Sequence, residues 1–168
     1  MRKGNNRIIT VLLTRYHSTF ANFIYWISGR GYTHASLGLD EKDGYYYSFN
    51  FNGFKIEHPG RQKKIYGNSI LYKLEVPQEE YEEIRKVVLE IEHHKGQYRY
   101  SRLSLFFCLL HIPCKIKNQY FCSQFVAEML QLSKSVRLKR SASLYLPNDL
   151  PWELKRQHCL REIIYNPV

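Results

Sequence analysis

Paired cysteines are missing from this chain. Its four, at 108, 114, 122 and 159, show no C-x-x-C spacing, and no H-E-x-x-H accompanies them. Dithiol redox and zinc chemistry therefore lack ligands at a workable spacing. Seven histidines are present, but the adjacent His93 and His94 point in different directions on a helix. No metal and no other cofactor is expected. The glycine-rich signatures G-x-x-x-x-G-K-[ST] and G-x-G-x-x-G are absent, as is G-x-S-x-G, which leaves nucleotide-binding and α/β-hydrolase readings without support. Long hydrophobic runs are lacking too. The stretch from Ile8 to Leu13 is interrupted by Thr10, is too short for a signal core, and has no small-residue cleavage site after it. No window approaches a membrane span. These absences lead us to expect a cytoplasmic protein with reduced thiols and no disulfides. Repeats, low-complexity tracts and long linkers are also missing, so residues 1–168 are expected to form one domain.

What is present is apolar, aromatic and basic. Hydrophobic residues make up 44% of the chain, with 14 Tyr, 9 Phe and 2 Trp, enough for a packed core. The net charge of +10 favours anionic partners: lipid head groups, acidic wall polymers or nucleic acid. The cations are scattered (Arg2, Lys3, Arg61, Lys115, Arg137 and Lys155 among them), as in a basic protein with no such partner. Nucleic-acid binding would rest on charge and tyrosines alone, so no specific nucleic-acid partner is expected.

The pattern along the chain gives an α+β fold. Arg7 to Thr14 suits a buried strand. Ser18 or Thr19 can cap a short aromatic helix through Phe20, Phe23, Ile24 and Ile27, ending at Gly29. His34 to Leu39 reads as a strand, Asp43-Gly44 as a hairpin turn, and Tyr45 to Phe51 as the returning strand. Phe54 to Glu57 and Ser69 to Val76 add further strands. Pro77 opens a helix to about His94, with four glutamates near its start and Ile84, Val87, Val88 and Ile91 as its inner stripe. Ser101 to His111 is apolar on nearly every face, which predicts a buried helix ending before Pro113. Pro147, Asp149 and Pro151 mark a turn with a short helix behind it, and Leu160 to Tyr165 suits a last strand. The expected sheet is mostly antiparallel and packed against helices.

The stretch Phe121-Cys122-Ser123-Gln124-Phe125-Val126-Ala127 carries the chemistry. Cys122, Phe125, Val126, Met129 and Leu130 follow the helical i, i+3, i+4, i+7, i+8 spacing, which puts Cys122 in a first turn. Unpaired N–H groups and the positive end of the macrodipole favour a thiolate there. A cysteine nucleophile needs a base and a third group to orient that base. His34 can be the base. The neighbouring strand offers Ser48, or alternatively Asn50, as the third residue. One oxyanion donor would be the Cys122 N–H; a second could come from Gln119, Tyr120 or another tyrosine. Each residue also has a plain structural reading: Cys122 as a packing cysteine, His34 as a satisfied strand histidine, Ser48 and Asn50 as strand polar groups. Cys108 reads as core.

Four segments occur in a suggestive order: Leu12-Leu13-Thr14-Arg15, Tyr32-Thr33-His34-Ala35-Ser36-Leu37, Tyr47-Ser48-Phe49, and Phe121 to Ala127. Together they resemble the permuted papain-like cysteine hydrolases, the YaeF/YiiX-like branch related to NlpC-type bacterial cell-wall amidases. The resemblance runs over residues 8 to 165. It implies a circularly permuted papain-like core, a nucleophile at Cys122 and a base at His34. Many members of that family carry an acidic third residue on the strand after the histidine, but Tyr46 to Asn50 has no carboxylate here. That departure leaves Ser48, Asn50 or a Cys-His dyad. The first functional expectation is a cysteine hydrolase (amidase or peptidase) cleaving an amide bond in a small peptide, such as a cell-wall-type peptide. Two others stand beside it: a thioesterase or lipid acyltransferase on an acyl-lipid substrate, and a non-catalytic binding module on a degenerate hydrolase fold.

Overall fold

The computed structural model describes residues 5–16, 22, 25, 26, 29, 31–39, 44–59 and 66–168. Strands β1 (Asn6–Tyr16), β2 (His34–Gly38), β3 (Tyr46–Asn50), β4 (Gly53–Glu57) and β5 (Tyr66–Pro77) come first. They are followed by helix α1 (Gln78–His93), β6 (Arg99–Tyr100), α2 (Arg102–Leu109), β7 (Gln119–Tyr120), α3 (Cys122–Gln131), α4 (Leu150–Leu154) and β8 (Leu160–Tyr165). Single 3₁₀ turns stand at Lys95–Gln97 and Ala142–Leu144. The fold is α+β: a six-stranded antiparallel sheet in the order β4-β3-β2-β1-β5-β8, with four helices among the described residues. A separate pair, β6 and β7, is parallel.

β1 sits at the centre of the sheet, which explains why its sequence does not alternate. Ile9 to Thr14 are all buried, because both faces of a central strand are covered. Its register with β2 runs from Thr10↔Gly38 to Thr14↔His34, and with β5 from Asn6↔Pro77 to Tyr16↔Tyr66. Helix α1 has Pro77 as its N-cap and Glu79 and Glu80 in its first turn, and buries Tyr81, Ile84, Val88 and Ile91. Val87, expected on the inner stripe, is only half-buried, and Tyr81 joins the stripe instead. Its hydroxyl donates to the Leu39 carbonyl at 2.6 Å, which fixes α1 beside the end of β2.

Most of the strands lie where the sequence pattern puts them; β2 and β3 are shorter than expected, and β1, β4 and β5 longer. Tyr45 and Phe51 fall outside β3 and are exposed, while Phe49 between them is fully buried. Gly44, at φ +63°, has the turn conformation expected of it, while its partner Asp43 lies outside the described residues. So do Ser18, Thr19, Phe20, Phe23, Ile24 and Ile27 of the expected aromatic helix. The helix predicted over Ser101 to His111 is present as α2, with a different burial. Ser104, Leu105 and Cys108 face inward, but Leu103, Phe106 and Leu110 are each more than half exposed. No helix among the described residues is long and apolar enough to cross a membrane.

Candidate active site

Helix α3 is the central helix of the fold. The expected stripe of Cys122, Phe125, Val126, Met129 and Leu130 is buried, and Ser123, Gln124 and Ala127 are buried with it. Phe125 explains the fixed position of its first turn. Its ring packs against Phe49 at 5.3 Å, Tyr120 at 6.1 Å and Phe54 at 6.0 Å between centroids. Phe121 is the N-cap in extended backbone and uses no side-chain cap, so the N–H groups of the first turn remain donors without a helical acceptor. Cys122 therefore carries its thiol at the electropositive end of a rigid helix.

His34 opens β2 and is buried. Its ring stands edge-on to Tyr16 at 4.8 Å, and the preceding N–H of Thr33 bonds the Thr14 carbonyl at 3.0 Å. A loop on the far side of the chain holds the approach to this strand: Asn148 Oδ1 accepts from the Tyr32 N–H at 2.6 Å. The imidazole lies between two groups. Nε2 meets both carboxylate oxygens of Glu57, at 2.9 and 3.0 Å, and the Cys122 thiol lies close enough to the ring to act on its protonation. With Nε2 engaged by Glu57, Nδ1 is the nitrogen left for sulfur. Burial alone would push the imidazole pKa down. The Glu57 charge, then the Cys122 hydrogen bond and charge, outweigh burial and push it up to about 10. The site thus favours the protonated form of His34.

Cys122 and His34 are brought together as the sequence pattern expected. The third position is filled from elsewhere. Ser48 Oγ is fully buried and donates to the Ala35 carbonyl at 2.7 Å. Asn50 Oδ1 accepts from the Asn52 N–H at 2.9 Å, closing the β3–β4 turn. Glu57, at the end of β4, holds the place beside His34. A sequence signal for it existed, because Glu57 is the sole acidic residue between Asp43 and Glu75 and ends a predicted strand.

Two tyrosines flank the thiol differently. Tyr120 is one of the expected oxyanion donors, but burial, and then the Glu128 charge, push its hydroxyl up to about 12. Tyr100 pairs with Tyr120 across β6 and β7 and lies within the field of Cys122. Burial, and then the cysteine, raise its pKa far above the usual phenol range, so it stays a proton donor at any working pH. Gln119 is half-buried on the same short strand as Tyr120.

Cys108 is core, as read from the sequence; burial, then the Asp149 charge, push its thiol up to about 12. Burial likewise raises Cys159. All four cysteines are free. Among the described residues, no group of three or more His, Cys, Asp or Glu side chains is placed to hold a metal ion. A scan against protein-family models gave no match, and searches of curated proteins and of solved structures gave none either.

Proposed function

We propose that this protein is a cysteine hydrolase that cleaves an amide bond through Cys122, His34 and Glu57. One observation carries the reading: a buried imidazole bonded to a carboxylate, with a thiol at a helix N-terminus close beside it. Those are the nucleophile, base and orienting group that an acyl-enzyme mechanism requires. A circularly permuted papain-like core is part of the proposal, supported by the histidine strand preceding the cysteine helix and by α3 packing on β2 and β3.

In the proposed mechanism the Cys122 thiolate attacks the substrate carbonyl. The resulting oxyanion is met by the Cys122 N–H, with the Tyr100 hydroxyl as second donor. The imidazolium gives its proton to the leaving amine as the C–N bond breaks. His34, now neutral, takes a proton from water, which attacks the thioester and releases the acid and free thiolate. Glu57 keeps the ring oriented throughout and stabilises its charged form. A small peptide of the cell-wall type is the first substrate class; acyl-lipid esters or thioesters are the second and would use the same steps with a different leaving group. The binding-module reading was motivated by a missing carboxylate, and Glu57 removes that motive.

The test is the pH dependence of alkylation by iodoacetamide, read peptide by peptide. Cys122 is expected to react at a pH well below that needed by Cys159, and His34→Ala is expected to abolish the advantage. An ordinary or inert Cys122 in the folded wild-type protein would overturn the hydrolase reading. If the pair is present, a panel of peptide amides against long-chain acyl esters decides between the two enzyme classes.

A further inference from the structure

Helix α2 has two apolar stripes where a surface helix has one. The inner stripe is Ser104, Leu105 and Cys108, of which Leu105 and Cys108 pack with Phe121. The outer stripe is Leu103, Phe106, Phe107 and Leu110, spaced i, i+3, i+4, i+7. Leu103, Phe106 and Leu110 are exposed by 53%, 55% and 53%. Ile112 extends the patch at 47% exposure. A contiguous outward apolar face of this kind is uncommon on a monomeric protein and marks a contact surface.

The charge around this face identifies its occupant. From residue 93 to residue 127 the chain has no Asp or Glu, and it has Lys95, Arg99, Arg102, Lys115 and Lys117. Arg102 borders the N-terminal end of the stripe, and Lys115 and Lys117 follow its C-terminal end. All three are exposed; Lys115 is paired with Glu128 at 2.8 Å, which leaves Arg102 and Lys117 as the cations the proposal uses. Long cationic side chains bordering an exposed stripe of Leu and Phe are the pattern of a helix lying in the interface of an anionic bilayer. The rings and branched chains enter the acyl boundary while the cations reach phosphate. A protein groove or a second copy of this chain would cover the apolar stripe equally well but would give no reason for an acid-free stretch of this length.

We propose that the outer face of α2 docks this protein on a membrane surface rich in anionic phospholipid. The helix seats shallowly and does not span. Because its inner stripe packs on Phe121, the residue before Cys122, docking sets the bilayer beside the candidate site. The proposal does not depend on the hydrolase reading, and Cys122→Ala protein serves to test it without any activity.

The test is flotation with vesicles of phosphatidylcholine alone and of about seven parts phosphatidylcholine to three parts phosphatidylglycerol, at about 0.1 M salt. Binding to the anionic vesicles is expected to exceed binding to the neutral ones by roughly tenfold or more. Phe106→Ser with Leu110→Ser should lose most of it, and Arg102→Gln with Lys117→Gln should lose the preference for anionic lipid. These side chains are exposed, and an unchanged circular dichroism spectrum shows that the variants fold. Arg137→Gln with Arg156→Gln, on a different basic surface, is expected to bind like the wild type. Binding that survives Phe106→Ser with Leu110→Ser, or that follows the Arg137 and Arg156 pair instead, would overturn the assignment to α2. No vesicle binding, with a dimer in light scattering that the Phe106 and Leu110 substitutions dissolve, would show that a second copy covers the face and would equally overturn it.

Discussion

At the scale of single residues, Glu57 and Ser48 occupy neighbouring strands and do different work. Glu57 contributes a charge to the imidazole; Ser48 contributes a hydrogen bond to the backbone of β2. Glu57→Gln keeps the shape and removes the charge. The His34 imidazole is then expected to titrate lower, the alkylation profile of Cys122 to move toward that of an ordinary thiol, and any hydrolytic rate to fall by roughly 10²-fold or more. Ser48→Ala should leave the alkylation profile in place and lower stability by about 1 kcal/mol, the value of one buried hydrogen bond. The two variants together tell an orienting residue from a structural one. The pair Cys122 and His34 was legible in the sequence because a helix N-terminus and a strand start are local features. Glu57 was not, because the expectation placed the third group on the strand next to His34, and the sheet supplies it from β4.

At the scale of elements, what sequence periodicity reads well is a face, and what it cannot read is how many faces are covered. The stripe of α3 was correct, yet the helix is buried almost all round because β2, β3, α1 and the 142–144 turn surround it. Uniform apolarity predicted that α2 is buried, and only half of it is. The strands were legible from β-branched and aromatic runs, with ends misplaced by one to three residues. The β3–β4 hairpin that carries Glu57 is locked by Gly53, at φ +89°, where an added Cβ would stand 2.8 Å from the Tyr98 carbonyl oxygen. Gly53→Ala is expected to cost about 1–2 kcal/mol from the backbone conformation, with the clash adding to it. Thermal unfolding measures that loss, and the Cys122 alkylation profile should weaken with it, since the hairpin cannot shift without moving Glu57.

At the scale of the whole molecule, the His34–Glu57 pair ties folding to pH. The His34 imidazole is raised from 6.5 to about 10 in the folded protein. The folded state therefore holds its proton where the unfolded chain has released it. The resulting stabilisation is complete below pH 6.5 and is lost as pH rises through about 10. Denaturant midpoints of wild type and of His34→Gln should accordingly differ most on the acid side of that window and converge toward its alkaline end. A difference that grows with pH would show that the imidazole is held neutral. High salt should change this difference little, because the pair is buried, while it weakens contacts made by the scattered surface cations.

The short parallel ladder of β6 and β7 ties the two ends of residues 101–118 to each other, through Arg99 N–H to the Asn118 carbonyl and Ser101 N–H to the Tyr120 carbonyl. Such a segment leaves the frame that holds Cys122, His34 and Glu57 and returns to it at nearly one point. In evolutionary terms it is a replaceable cassette: its outer face can drift, lengthen or be exchanged while Cys122, His34 and Glu57 keep their distances. Descendants of one ancestral frame would then diverge first in where they work and last in what their thiol does.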